Sequence, residues 1–405
     1  MTEIPDRNDI RAWFPSLATG FAFLENAGGS QVPAVVANAI RDYMLDSYVQ
    51  LGAGYHQSKV ATKTVSDAHA FIEEMMGAND SGRVVLGGST TALLHMLADA
   101  YADVWKPGDR VIIAETNHEA NAGSWTKLER RGIKIDIWKV DPATFQCSLE
   151  SLAELIGPTT KLIAFPHVSN LLGEVVDVPA ITMLAHQHGV KVVVDGVAYA
   201  PHRLMEVADW QVDWYVYSTY KVYGPHMAAL YGTHEAFEQL TGPNHFFIPK
   251  ESIPYKFELG CISHEGCAGL IALKHYLSFL TGEEYQGRQT VIKAFERMSE
   301  LELPLQIQLI RYLKSKPNVR VIGLADEGPK SVGTVSFVHR TLSSQEIVDH
   351  VDQSSIGIRF GHMYAVRLCE ALGIELEGGV VRVSMVHYNT PEEITRLIQC
   401  FDQIL

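Results

Sequence analysis

The sequence predicts an α/β protein built on a mostly parallel sheet with helices on both faces, followed by a smaller α+β section. Two observations carry this. Short apolar runs alternate with helical patterns through the middle of the chain. After that block the pattern changes to long helices with only a few strands. The alternating block runs from about residue 55 to 265, which divides the chain into an N-terminal segment (1–54), a large domain (55–265) and a small C-terminal domain (266–405).

The strands are taken in order. Residues 83–86 (RVVL), 110–114 (RVIIA), 133–138 (IKIDIW), 161–165 (KLIAF) and 191–194 (KVVV) are short, apolar and β-branched. They read as strands buried on both faces, as a parallel sheet requires. Residues 90–105 and 178–188 read as intervening helices. Residues 214–217 and 227–231 are two further strands around a Gly-Pro turn. Long helical patterns cover 264–281 and 284–315, and strands are expected near 332–338 and 380–386. Thr390-Pro391-Glu392-Glu393 announces a last helix, with an N-cap, a proline at the first helical position and a glutamate at the third. The segment before residue 55 is expected to pack on the small domain or on a partner subunit.

Composition bounds the function. The chain has 405 residues, 47% of them hydrophobic, and a formal charge of −14 with no strongly basic run. Nucleic acid and anionic membrane surfaces are poor partners for such a chain. The five cysteines are scattered without a C-x-x-C pair, which argues against a disulfide framework or structural zinc. No apolar run reaches the ~18 residues of a membrane span, and the N-terminal residues carry charge where a signal peptide needs an apolar core. A soluble, cytoplasmic protein is expected.

Three motifs carry chemistry. In RVVLGGSTTALLHML (83–97) a strand runs through Gly87-Gly88 into Ser89-Thr90-Thr91 and a helix, where free amides and hydroxyls favour a phosphate. An ordinary N-capped turn is the alternative. In VKVVVDGVAYAPH (190–202) Asp195 ends a very apolar strand, the end that faces the ligand crevice in doubly wound folds. A helix-capping aspartate is its alternative. In DWYVYSTYKVYGPHMAALYG (213–232) Lys221 stands alone between two apolar strands. It is either a snorkelling side chain or a reactive amine. Phosphate loop, strand-end carboxylate and isolated lysine, in this order, suit pyridoxal 5′-phosphate (PLP).

The chain resembles the class V aminotransferases of PLP fold type I, close to their cysteine-desulfurase-like branch. FLENAGGSQVP (23–33), GGSTTALL, NHEAN (117–121), HVSNLLGEVVDV (167–178), VDGVAYAPH, STYKVYGP and VVRVSMVHYNTPEEI (380–394) match the family's segments in order. The resemblance implies a seven-stranded-type sheet in the large domain. It implies Lys221 as the Schiff-base lysine and proton carrier at Cα, Asp195 as partner of the ring nitrogen, and His118 stacked on the ring. It places Ser89, Thr90, Ser218 and Tyr220 on the phosphate side, although Tyr220 stands where the family has histidine. Asn170, Arg359 and Arg382 become substrate-side residues, with Arg382 as the fork for the α-carboxylate, a task guanidinium geometry suits. The alternation around Arg382 by itself permits a solvent-facing side chain as well.

Departures from the family bear on the reaction. The desulfurase loop carries a cysteine that takes up sulfur, whereas IRFGHMYAVRL (358–368) keeps Arg359, Gly361 and His362 and has Tyr364 at the cysteine position. Cys369 lies five residues further on, as a small apolar residue. Ala198 replaces a family glutamine. Cys261, in FELGCISHEG (257–266), replaces a phosphate-side threonine that the family receives from the partner subunit. That segment, 261–264, implies a homodimer with shared sites. Cys261 or Cys267 as a thiol nucleophile is a minor alternative. The expected function is a cysteine-desulfurase-like lyase of the C–S type that takes a proton from Cα of an amino acid and releases a Cβ substituent, with Tyr364 or His362 protonating the leaving group. The alternatives are an aminotransferase, an epimerase or a carbon–carbon bond-forming enzyme, and, outside enzymes, a retired PLP fold used for binding.

Overall fold

A computed structural model describes residues 4–405. A two-residue strand, β1 (Ala22–Phe23), precedes seven strands that form the large sheet: β2 (Gly82–Gly87), β3 (Arg110–Ala114), β4 (Lys134–Trp138), β5 (Thr160–Pro166), β6 (Lys191–Asp195), β7 (Trp214–Ser218) and β8 (Ala228–Thr233). Their spatial order is β2-β8-β7-β6-β5-β3-β4. The pairings from β4 to β7 are all parallel. β8 runs antiparallel to both its neighbours, β7 and β2. β2 therefore points the same way as β7, and the carboxyl ends of six strands share one edge.

The strands are buried on both faces because their side chains alternate between two cores. Val84, Leu86, Ile112 and Ala114 join one core, while Val85, Val111 and Ile113 join the other. This explains why the sheet was legible as runs rather than as an apolar–polar alternation. Helix His264–Thr281 packs on helices Ala34–Asp46 and His56–Met76 over the first core. The close fit uses Gly269, where a Cβ would come 2.9 Å from Ile40 Cγ1.

The small sheet contains β9 (Val319–Ile322) and β10 (Thr334–His339). After β11 (Ile356–Gly357), which pairs in parallel with β1, come β12 (Arg359–Gly361) and β13 (Val380–Ser384). The order is β12-β13-β10-β9, antiparallel throughout. The helix expected from residue 284 begins at Arg288, because Gly287 takes a left-handed φ of 62° that stops the helix from extending toward the N-terminus. The last helix, Pro391–Phe401, has the Thr390–Glu393 capping box that its sequence announces.

The N-terminal residues bind mainly to the C-terminal part of the chain, and Ser30 reaches the end of β7 by donating to Tyr220 O. Arg7 donates to the carbonyls of His387, Asn389 and Leu301, and Arg11 pairs with Glu393 at 2.9 Å. Leu24 donates to Gly357 O and accepts from Ser384 N, which delivers the next residue, Glu25, between the small-sheet strands and the edge of the large sheet.

Candidate active site

At the shared carboxyl edge lies a cavity open to solvent, with about 580 Å³ of space counted together with its mouth. Five of the six strand ends contribute to it, all but that of β4. Ser89 and Thr90 follow β2, His118 follows β3, Asn170 follows β5, Asp195 ends β6, and Ser218, Tyr220 and Lys221 end and follow β7. Ala198 lines it as well. All eight cavity residues singled out in the sequence thus meet in one place.

The geometry at one end suits a phosphate. Ser89 caps helix Thr90–Ala102, accepting from Ala92 N at 3.1 Å, and the hydroxyls of Thr90 and Ser218 lie 2.8 Å apart. Tyr220 stacks on His226 with ring centroids 4.7 Å apart, and its backbone carbonyl accepts from Ser30. His118 caps helix Glu119–Thr126, its Nδ1 accepting from Ala120 N at 3.0 Å. Burial, then repulsion from Lys221 and Arg382, pulls the imidazole down to about 4, so it is a neutral ring.

Asp195 and Lys221 are the charged pair at the centre. Burial raises the Asp195 carboxyl to about 6, opposed by the bond from Val197 N (3.0 Å) and by the charge of Lys221. Burial lowers the Lys221 amine to about 8, assisted by the positive charge of Arg382 and opposed by Asp195 and Glu25. Its Nζ lies 5.9 Å from the Tyr220 ring centroid. A buried amine with a proton affinity reduced this far is a usable nucleophile and base near neutral pH.

The other predicted residues, Arg359, His362, Tyr364 and Arg382, belong to the small sheet and its loops and do not line the cavity; they approach it through contacts with Asn170 and His118. Arg382, on β13, is buried and donates to Asn170 O at 3.3 Å. Burial lowers its pKa to about 10, with Glu25 opposing and Arg359 assisting. Asn170 Nδ2 donates to Met363 O at 2.9 Å, which ties the loop after β5 to the loop after β12. That second loop carries Met363 and Tyr364 at φ 46° and 61°, both left-handed. The Tyr364 ring is 65% exposed and its centroid is 5.3 Å from that of His118. Glu119 N donates to Tyr364 O. His362 is turned toward its own loop, its Nδ1 accepting from Tyr364 N at 3.0 Å. Arg359 is exposed and pairs with Glu25 Oε1 at 3.0 Å. Cys369 and Cys267 are buried, and burial pushes their thiols up to about 11 and about 12. Cys261 is exposed beside Gln50.

Sequence reasoning assigned no role to Glu25, although the segment that contains it was singled out. Its only signal was that position, since the two arginines it faces lie more than 300 residues away.

The residues fit PLP. Hydroxyls stand at a helix start, a neutral imidazole lies in the same lining, and a buried carboxylate and amine there are both shifted by burial toward their neutral forms. Asn170 Oδ1 and Arg382 Nε are buried without a hydrogen-bond partner, so polar atoms remain for a ligand.

Comparison with known proteins agrees with this. The profile of the family described as aminotransferase class-V matches residues 22–397. An aminotransferase-like protein, FGM3, of Gibberella zeae is 37% identical over 98% of both chains. A cysteine desulfurase-like protein, ustD, of Aspergillus flavus is 29% identical over 100% of this chain and 92% of its own. Among solved structures, the apo cysteine desulfurase of Thermococcus onnurineus superposes with a TM-score of 0.87 at 24% identity, over 100% of this chain and 99% of that one. The match over nearly the full length and the arrangement at the sheet edge lead to one assignment: the chain belongs to the class-V aminotransferase family and is a PLP-dependent enzyme.

Proposed function

We propose that the protein is a desulfurase-like lyase that removes the Cα proton of an amino acid and expels a Cβ substituent, of the C–S lyase type, without storing sulfur on a thiol. The single observation that carries this reading is the phenol of Tyr364, its ring 5.3 Å from that of His118 in the cavity lining, on the loop where the family's sulfur acceptor stands.

Ser89, Thr90, Ser218 and Tyr220 hold the phosphate end, and His118 covers the ring. PLP held here would supply an electron sink for the pair freed at Cα. Asp195 would hold a proton on the ring nitrogen, and that cation would compensate the buried carboxylate. Lys221 would be the residue that holds the cofactor covalently, and its free amine would take the proton from Cα. Arg382 and Asn170 orient the substrate through its carboxylate. Tyr364 donates a proton to the departing group at the mouth of the cavity, assisted by His362 through the loop they share.

A second copy of the chain completes the site in this reading. Cys261 Sγ lies 3.6 Å from Gln50 Oε1, so the 259–264 segment adjoins the 44–55 segment. Both carry exposed apolar side chains, among them Leu45 (75% exposed), Tyr48 and Leu259.

One comparison favours a second reading, aminotransfer, since FGM3 of Gibberella zeae is named aminotransferase-like. Pyruvate, ammonia and sulfide assays on L-cysteine, beside single-turnover spectra with other amino acids, separate the two. Sulfide and pyruvate in equal amounts support the lyase. Stoichiometric keto acid with conversion of the cofactor to its amine form overturns it.

A further inference from the structure

Glu25 lies against Arg359 and Arg382 and has no role in the reaction described above. Its Oε1 accepts from Arg359 Nη1 at 3.0 Å and lies 3.9 Å from Arg382 Nη2. The first distance is a hydrogen bond; the second is too long for one and short enough for strong attraction. Arg382 therefore rests in a particular state. Its buried charge has a counter-ion, while Nε has no partner and Nη2 is not engaged in a hydrogen bond.

We propose that Glu25 is a specificity-determining residue: a built-in carboxylate that stands in for the substrate carboxylate at Arg382 and must yield that guanidinium when substrate enters. This rests on the reading of Arg382 as the carboxylate fork. A buried guanidinium without an anion is costly, and here it also faces the Lys221 amine. Glu25 relieves that cost without filling the bonding positions. Two anions cannot share one guanidinium without repelling each other, so the entering carboxylate binds against the charge of Glu25. Arg359 is exposed and retains Glu25 as it moves aside. The fold holds the carboxylate in place from behind. Leu24 is bonded to both Gly357 and Ser384, and a Cβ on Gly28 would come 2.5 Å from Glu25 Oε1. Glycine at 28 is thus the condition for the side chain to lie where it does.

The test uses the PLP-loaded enzyme, with L-alanine and L-alaninamide as probes that differ in the carboxylate. Binding is read from the visible spectrum of the bound cofactor and independently by calorimetry. Glu25→Gln keeps an oxygen for Arg359 and removes the charge. It should lower the dissociation constant for L-alanine about three- to tenfold and leave L-alaninamide within about twofold. Gly28→Ala should act in the same direction by displacing the carboxylate. Unchanged or weaker L-alanine binding in Glu25→Gln would overturn the proposal, as would equal tightening of both probes, which would mark a steric effect. Arg382→Gln tests the reading beneath it separately. Loss of the preference for L-alanine over L-alaninamide supports the fork, and an unaltered preference removes it whatever Glu25 does.

Discussion

Lys221 and Asp195 illustrate how burial produces reactivity at the cost of stability. Lys221→Ala should fold, lose the borohydride-sensitive visible absorbance and lose activity by orders of magnitude; a variant retaining a tenth of wild-type turnover would remove the assignment. Asp195 makes a stability prediction for the cofactor-free protein. Its carboxyl deprotonates at about 6 in the fold, above the usual carboxylate range, because burial disfavours the charge. The folded state is therefore favoured by this group at low pH, and that contribution is lost as pH rises through about 6. Asp195→Asn, which keeps an acceptor for Val197 N, should stabilise the cofactor-free protein at pH 8 by up to about 3 kcal/mol, with little gain at pH 4, as urea unfolding at the two pH values would show. The same variant loaded with PLP should turn over far more slowly, since an amide does not keep the ring nitrogen protonated. At Tyr364, incubation of wild type with L-cysteine followed by mass spectrometry should show no added sulfur. A stable gain of one sulfur on Cys261, Cys267 or Cys369 would restore a sulfur-storing mechanism.

At the scale of elements, the site depends on two loops meeting, one after β5 and one after β12. The first is held by Gly173, at φ 66° and so close to β10 that a Cβ would lie 2.2 Å from Thr334 O. Gly173 also donates to Ser169 O, next to Asn170 in the chain, and accepts from Val332 N. Gly173→Ala combines a left-handed backbone with a backbone clash, so it should destabilise by at least about 2 kcal/mol. It should also weaken amino-acid binding, because Asn170 would lose its place under Met363 and Arg382. Chemical denaturation and a spectral titration check the two effects, and wild-type values in both would show that this loop tolerates displacement.

For the whole molecule, exposed apolar side chains lie on 44–55, which meets Cys261 through Gln50, and on 246–259, where Phe246 is 98% exposed. Sedimentation is expected at twice the chain mass. Leu45→Glu should shift it toward the monomer and weaken PLP retention, since 261–264 would no longer reach the neighbouring site. A monomeric wild type with full PLP occupancy would sink the shared-site reading. No helix among the described residues is long and apolar enough to cross a membrane.

The sequence by itself determined the large sheet, because parallel strands buried on both faces are apolar throughout and mark themselves locally. It also determined the terminal helix, whose capping box is local chemistry, and the identities of Lys221, Asp195 and the hydroxyls, which sit at strand ends that the pattern locates. It did not reveal β1, β9, β11 or β12. These are two to four residues long, and β12 reads only Arg-Phe-Gly; each is a strand because a distant strand supplies its hydrogen-bond partners. Nor did it decide which way Arg382 faces, since alternation in VVRVSMV allows either side. Only the tertiary structure brings Asn170 beneath Arg382 and sets Glu25 between Arg359 and Arg382. Those contacts are made by residues hundreds of positions apart, and electrostatic pairing across such separations leaves no periodicity in the chain to read.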